Sequence, residues 1–184
     1  MTDEVLAKIC HEWDEFPDQF GTIVMDPPWE YRNRRTGGSM SSGASQKYPC
    51  LSLEQLQALP MKGLSQKDSV LFLWTTQNFM EAAYGLLREW GFQRRTVIVW
   101  AKPGPLGMGF WLRNQCEFCL VATRGRIKPF RSSQRNLIVS PRKNHSQKPE
   151  EFWQLLQGLP LPSPRVELFA REARPGWYAW GNEL

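Results

Sequence analysis

Ile23-Val-Met-Asp-Pro-Pro-Trp29 is the stretch on which the fold turns. Ile23, Val24 and Met25 form a short apolar run that reads as the end of a buried strand. Asp26 is the first polar residue after it, so its carboxylate falls at the carboxyl end of a strand. That is the edge where open α/β sheets bind ligands. Pro27 and Pro28 have a fixed φ and no N–H, so they stiffen the exit and leave carbonyls as its hydrogen-bonding groups. Trp29 adds a flat aromatic face. Carboxylate, rigid carbonyl and aromatic plate together suit a planar ring carrying an exocyclic amine. The amine can donate to Asp26 and to the Pro27 carbonyl while the ring stacks on Trp29. An ordinary strand-to-turn exit, with Asp26 capping the turn, would use the same residues.

Working outward, the strand pattern repeats. Val70 to Trp74, Thr96 to Trp100, Cys116 to Ala122, Leu137 to Val139 and Arg165 to Phe169 are short apolar runs bounded by turn residues. Between them lie helical segments. Ser52-Leu-Glu-Gln55 is a capping-box pattern that opens a helix ending near Pro60. Asn78 is placed to cap a helix running to about Trp90, with Gly91 as its stop. Pro149 suits the first turn of a helix carrying Phe152, Leu155 and Leu156 on one face. Trp177 to Trp180 begins a last short segment. Strands alternating with helices argue for a mostly parallel α/β sheet. The segment 30–50 is polar, rich in Gly and Ser, and longer than an ordinary connection, which suggests a functional loop.

The chain has 184 residues, which argues for a single domain over 1–184, with 1–20 as a short helix or arm. At 41% apolar, with nine Trp and ten Phe, it has material for a core. No apolar run reaches the roughly eighteen residues that cross a membrane. Of the four Cys, Cys116 and Cys119 have CxxC spacing but lie inside an apolar run, and no second pair completes a zinc site. They read as buried free thiols, which suits a reducing, cytoplasmic compartment. The formal net charge is +5, and it is unevenly spread. From Arg124 to Lys148 there are eight Lys or Arg and no acid, and residues 31–47 hold Arg32, Arg34, Arg35 and Lys47. Tyr31, Tyr48, Phe130, Gln134 and Asn144 are interleaved with them. This pattern fits a polyanion. A solvated basic surface would look the same in composition.

Asp26-Pro-Pro-Trp29 resembles the catalytic motif of the S-adenosylmethionine-dependent amino-methyltransferases. The Trp version looks like the family of the eukaryotic messenger-RNA adenosine methyltransferase and its bacterial and phage relatives. Two further stretches carry the same resemblance in the same order. One is His145-Ser-Gln-Lys-Pro-Glu150. The other runs from Arg165-Val-Glu-Leu-Phe-Ala-Arg171 through Arg174-Pro-Gly-Trp177 to Trp180-Gly-Asn-Glu183. The likeness extends from about residue 20 to the C-terminus.

The resemblance implies a Rossmann-like methyltransferase fold with helices on both faces of the sheet and a circularly permuted order, the catalytic motif first and the cofactor strand last. It implies S-adenosylmethionine as cofactor and no metal. The catalytic residues would be Asp26, Pro27, Pro28 and Trp29. Asp26, His145, Lys148, Phe169, Arg171, Asn182 and Glu183 would line the cofactor site. Lys148 would pair with the cofactor's carboxylate, and Arg171, Asn182 and Glu183 would reach its ribose and adenine. Phe169-Ala-Arg171 departs from the wider class, because it lacks a G-x-G. Candidate nucleic-acid contacts are Tyr31, Arg32, Arg34, Arg35, Arg126, Arg131 and Arg135, with Trp74 or Tyr31 joining Trp29 as stacking faces.

The expected activity is methyl transfer to adenine N6 in nucleic acid, with DNA preferred and RNA as the alternative. Relatives often work as dimers, so a homodimer or heterodimer is compatible. A non-catalytic binding partner would also carry basic surface, but it has no reason to keep Asp26. Methylation of a small molecule or a protein amide fits the Pro-Pro motif and not the basic loops.

Overall fold

The computed structural model describes residues 17–30, 50–105, 111–142 and 147–181. Phe20–Met25 form β1, and every residue of it is buried. Its side chains alternate between two cores, as the two-residue period of a strand requires. Ile23 and Met25 enter one core with Leu71 and Leu73, while Val24 enters the other with Val70, Phe72 and Trp74. Burial of each large apolar side chain contributes about 1.5–3 kcal/mol.

Among the described residues, six further strands join the sheet: β2 (Ser65–Thr75), β3 (Gln93–Ala101), β4 (Cys116–Arg124), β5 (Leu137–Val139), β6 (Arg165–Leu168) and β7 (Tyr178–Trp180). The order across the sheet is β5-β3-β4-β2-β1-β6-β7. Only β4 runs against its neighbours, and all other pairings are parallel. Met25, Ala101, Leu168 and Trp180 therefore end at one edge, where β4 begins at Cys116. Leu168 lies directly beside Met25 in the β1–β6 register.

Helices cover both faces. On the first lie α1 (Leu53–Gln57), α2 (Met61–Leu64) and α3 (Met80–Glu89), which bury Leu56, Met61 and Leu86. On the second, α4 (Glu150–Gln157) buries Phe152, Trp153 and Leu156. The chain leaves β1 across the first face and enters β6 from the second. The carboxyl ends of β1 and β6 thus flank a crevice at a topological switch point, where ligands bind in such sheets.

Local signals explain two of the helix boundaries. The Ser52 hydroxyl accepts from the Gln55 N–H, and the Gln55 side chain accepts from the Ser52 N–H, so the capping box is formed. Gly91, at φ 79°, stops α3 by donating to the Arg88 carbonyl while Phe92 donates to Leu87.

Four expectations change. Asn78 is not a helix cap: it lies in a 3₁₀ turn, Gln77–Phe79, and α3 begins at Met80 without a side-chain cap. β2 starts earlier than Val70, at Ser65, because its polar first residues are held by hydrogen bonds: Ser65 to the Met61 carbonyl and Arg124, and Asp68 to the Arg126 N–H. The third buried residue of α4 is Trp153, with Leu155 only half-buried. Cys119 is buried as expected, but Cys116 is exposed at the start of β4.

Candidate active site

The topology gathers four charged side chains from four separate segments at the carboxyl edge. Asp26 leaves β1, Lys102 leaves β3, Glu117 enters β4, and Lys148 precedes α4. Lys148 Nζ lies 2.7 Å from Oδ2 of Asp26 and 3.0 Å from Oε2 of Glu117. Lys102 Nζ lies 2.5 Å from Oε1 of Glu117. The four form one chain of alternating sign. The two lysine side chains are almost wholly buried, at 6% exposure for Lys102 and 9% for Lys148, whereas Asp26 keeps 30%. Aromatic rings floor the lysines: Lys148 sits 4.7 Å above the Trp74 ring and Lys102 5.1 Å above Trp100.

Burial dominates the electrostatics, and the neighbours then decide each sign. Burial raises the Asp26 carboxyl above its ordinary value, with Lys148 pulling it down and Glu117 pushing it up. Burial also opposes ionisation of Glu117, but Lys148 and Lys102 together hold its carboxyl down to about 2. Burial works against the Lys148 charge, and the two carboxylates outweigh it and raise the ammonium above its ordinary value. Lys102 is lowered by burial, only partly offset by Glu117.

The Pro27–Trp29 turn is clamped from several sides. The Trp29 N–H donates to the Pro27 carbonyl at 2.9 Å, and the Leu51 N–H donates to the Pro28 carbonyl at 2.9 Å. A carbonyl oxygen has two lone pairs, so the Pro27 oxygen can still accept from a ligand. Trp29 itself is 7% exposed. Its indole N–H donates to the Trp74 carbonyl at 3.1 Å, and its ring stacks on Phe79 at 5.2 Å. Trp29 therefore holds the turn from beneath and is not an open plate. Trp74 is a correction to the nucleic-acid contacts. It is fully buried, edge-on to Phe152 and Trp100 with Lys148 over its ring, and offers no face to a base.

Beside Asp26, the exit of β6 is tightly built although it has no G-x-G. Phe169 takes the left-handed conformation at φ 62°, unusual for a bulky residue. Its ring packs edge-on against Trp180 at 5.5 Å. Gly181 lies close against this backbone: a Cβ there would be 2.0 Å from the Ala170 carbonyl oxygen. Arg171 follows within electrostatic reach of Asp26. Glu167, one residue before the end of β6, has its carboxyl raised to about 7, chiefly by burial, with Arg174 lowering it and Asp26 raising it.

Other candidates fall elsewhere. Tyr31, Arg32, Arg34, Arg35, His145, Asn182 and Glu183 lie outside the described residues. Arg126 is at the wrong edge: β4 is antiparallel, so it carries the chain away from Asp26. At nine residues and about 3.3 Å each, that separation is roughly 25–30 Å. There the Arg126 N–H donates to Asp68, and Arg124 is tied to the Lys62 carbonyl and Ser65. Arg131 and Arg135 are exposed on the segment that returns across the α4 face. Lys102, Glu117 and Glu167 were not singled out by sequence reasoning. The available signal was a glutamate inside each of two apolar strands, Cys116–Ala122 and Arg165–Phe169. Among the described residues, no group of three His, Cys, Asp or Glu could hold a metal ion, and no helix is long and apolar enough to cross a membrane.

An open sheet with one antiparallel strand, helices on both faces and a charged crevice at the switch point defines a Rossmann-like α/β protein. Within that class the chain belongs to the MT-A70 family, whose model matches residues 20–183. It is similar to the type II methyltransferase M.MunI of a Mycoplasma species, at 34% identity over 90% of this chain and 78% of that protein. A probable N(6)-adenosine-methyltransferase MT-A70-like protein of Oryza sativa subsp. japonica matches at 31% identity over 90% of this chain and 23% of its own length. The N(6)-adenosine-methyltransferase catalytic subunit METTL3 of Homo sapiens matches at 28% over 90% and 28%. The chain thus spans about a quarter of the length of the plant and human relatives.

Proposed function

We propose that this protein transfers a methyl group from S-adenosylmethionine to the exocyclic N6 amine of adenine in nucleic acid, with DNA as its substrate. The observation that carries the reading is Asp26 at the end of β1, directly beside the exit of β6, with one carboxylate oxygen held by Lys148. Oδ1 then faces the task of accepting an N–H from the amine, and the second lone pair of the Pro27 carbonyl can accept the other. The amine lone pair of adenine is delocalised into the ring. Accepting both N–H groups localises it and aims it along the line of transfer.

The donor set fits the cofactor's charges. An ammonium has three donors; Asp26 and Glu117 take two from Lys148, which leaves one for a carboxylate. Glu167 is an acid that a nearby cation would ionise. Phe169 and Arg171 shape and charge the β6 exit, and His145, Asn182 and Glu183 join this set by resemblance. When bound, S-adenosylmethionine supplies a methyl group activated by its sulfonium leaving group. With the cofactor at β6, the motif order along the chain is circularly permuted. Once methylated, the amine is acidic enough to lose its proton, and the partly exposed Asp26 gives that proton a route to water. Inside a duplex this amine is base-paired, so the target base must be flipped out or single-stranded.

DNA is preferred because the relative that the chain covers to 78% is named a type II methyltransferase. The N(6)-adenosine names belong to relatives of which it spans about a quarter, and they support RNA as the second reading. The test is transfer of labelled methyl groups to duplex DNA, single-stranded DNA and RNA of matched sequence. Label at adenine N6 of DNA is expected. Label in RNA alone would move the substrate to RNA. Cofactor binding without transfer to any adenine would make the protein a non-catalytic partner.

A further inference from the structure

Lys102 lies three ion pairs from Asp26 and is placed in neither the cofactor nor the substrate set. Its side chain is 6% exposed, its Nζ is 2.5 Å from Oε1 of Glu117, and that same Nζ lies 5.1 Å over the Trp100 ring. Trp100 is itself fixed by donating its indole N–H to the Ser140 carbonyl at 2.8 Å. A buried ammonium is costly unless paired, and the pair here is closed at both ends. We propose that Lys102 is a positioning residue for methyl transfer: by occupying Oε1 of Glu117, it leaves Lys148 to be shared between Glu117 and Asp26. This rests on the functional reading above.

Lys102, Glu117, Lys148 and Asp26 alternate +, −, +, − and sum to zero. Without Lys102 the remainder is −, +, −, and two carboxylates compete for one ammonium. Glu117 is held inside β4 by its pairing with Trp100 of β3, whereas Asp26 stands one residue past the end of β1 and turns to water more readily. Lys148 is then drawn onto Glu117, and Asp26 loses the cation that keeps it ionised and oriented. The other charges around the chain are fixed by separate elements. Arg142 faces Lys102, Arg171 faces Asp26, and Glu167 faces Asp26 and Lys148 from β6 with Arg174 and Glu172 beside it. The buried Cys119 thiol faces Lys148 and Asp26 and is raised well above its ordinary value by burial, so it adds no charge near neutral pH.

The test measures the Asp26 carboxyl titration by carbon NMR in cofactor-free protein, and the pH–rate profile of single-turnover methyl transfer. Lys102→Met should raise the Asp26 midpoint and move the acidic limb of the rate profile up by about one pH unit. Lys102→Arg should restore most of the wild-type behaviour. Glu117→Gln added to Lys102→Met removes the competitor, so the Asp26 midpoint and the acidic limb should return toward wild type. Lys102→Gln, which keeps a donor for Glu117, should shift both in the same direction by less and serves if the Met variant does not fold. An unmoved Asp26 midpoint in folded Lys102→Met or Lys102→Gln would reduce Lys102 to a structural role. A double variant as shifted as the single would show that the coupling does not run through Glu117. The NMR arm stands even if no nucleic acid is methylated, so failure of the proposed function and failure of this inference are separable.

Discussion

At Glu167 the residue's surroundings make a sign that can be measured. Its carboxyl is raised from 4.5 to about 7, so the folded chain holds that proton more tightly than the unfolded chain does. Stability contributed by the protonated form is therefore full below about 4.5 and is lost as pH rises through about 7. Glu167→Gln should leave stability unchanged at the acidic end and raise it at pH ~8, by at most about 3 kcal/mol and less for a partly exposed group. Denaturant unfolding of both proteins at the two pH values checks this; an equal difference at both would show that the carboxyl does not titrate in that window. The contrast with Asp26 explains what was legible. Asp26 announces itself as the first polar residue after an apolar run and before two prolines. Glu167 and Glu117 lie inside strands, where alternation hides one acid among residues facing the other core. Lys102 opens Lys-Pro-Gly-Pro and reads as the end of a strand, since nothing local says that a glutamate fifteen positions on will meet it.

Among the elements, the exits of β6 and β7 behave as one unit. The Ala170 N–H donates to the Trp180 carbonyl at 2.8 Å, and Gly181 lies against Ala170 with no room for a side chain. Gly181→Ala must push this backbone apart. A destabilisation of about 1–3 kcal/mol is expected from such overpacking, together with weaker cofactor binding, both readable by calorimetry. Normal cofactor affinity in that variant would place the cofactor away from β6. On the opposite side of the β1 turn, the Ser52 capping box should be worth about 1 kcal/mol, read as the loss in Ser52→Ala by denaturant unfolding. An unchanged midpoint would mean that α1 is held by Leu56 alone. These elements were legible in outline because caps, stops and apolar runs are local signals. The reversal of β4 was not, because an antiparallel and a parallel buried strand have the same composition. That one reversal sends Arg124 and Arg126 to the far edge and brings Glu117 to the near one.

Across the whole molecule, strand direction decides which basic residues lie near Asp26. The basic segment after β4 starts at the edge away from Asp26 and returns over the α4 face, while Trp111, Leu112 and Arg113 stand exposed in the loop between β3 and β4, on the near edge. If substrate approaches the near edge, Arg113→Gln should reduce the log–log salt slope of DNA binding by roughly one unit, and Arg126→Gln should leave it unchanged. The reverse pattern would mean that nucleic acid is held on the other edge. The fold class was readable from the alternation of strands and helices. The position of the basic patch relative to the crevice was not, because it depends on strand direction. The central claim is that the crevice between β1 and β6 performs methyl transfer through Asp26. Single-turnover transfer at saturating cofactor, with cofactor binding measured separately, tests it in Asp26→Ala and Asp26→Asn. The Ala variant should lose on the order of 10²–10³ in rate, the usual effect of removing one preorganised partner. The Asn variant keeps a carbonyl acceptor and should retain more activity. Wild-type rates in Asp26→Ala would contradict the account.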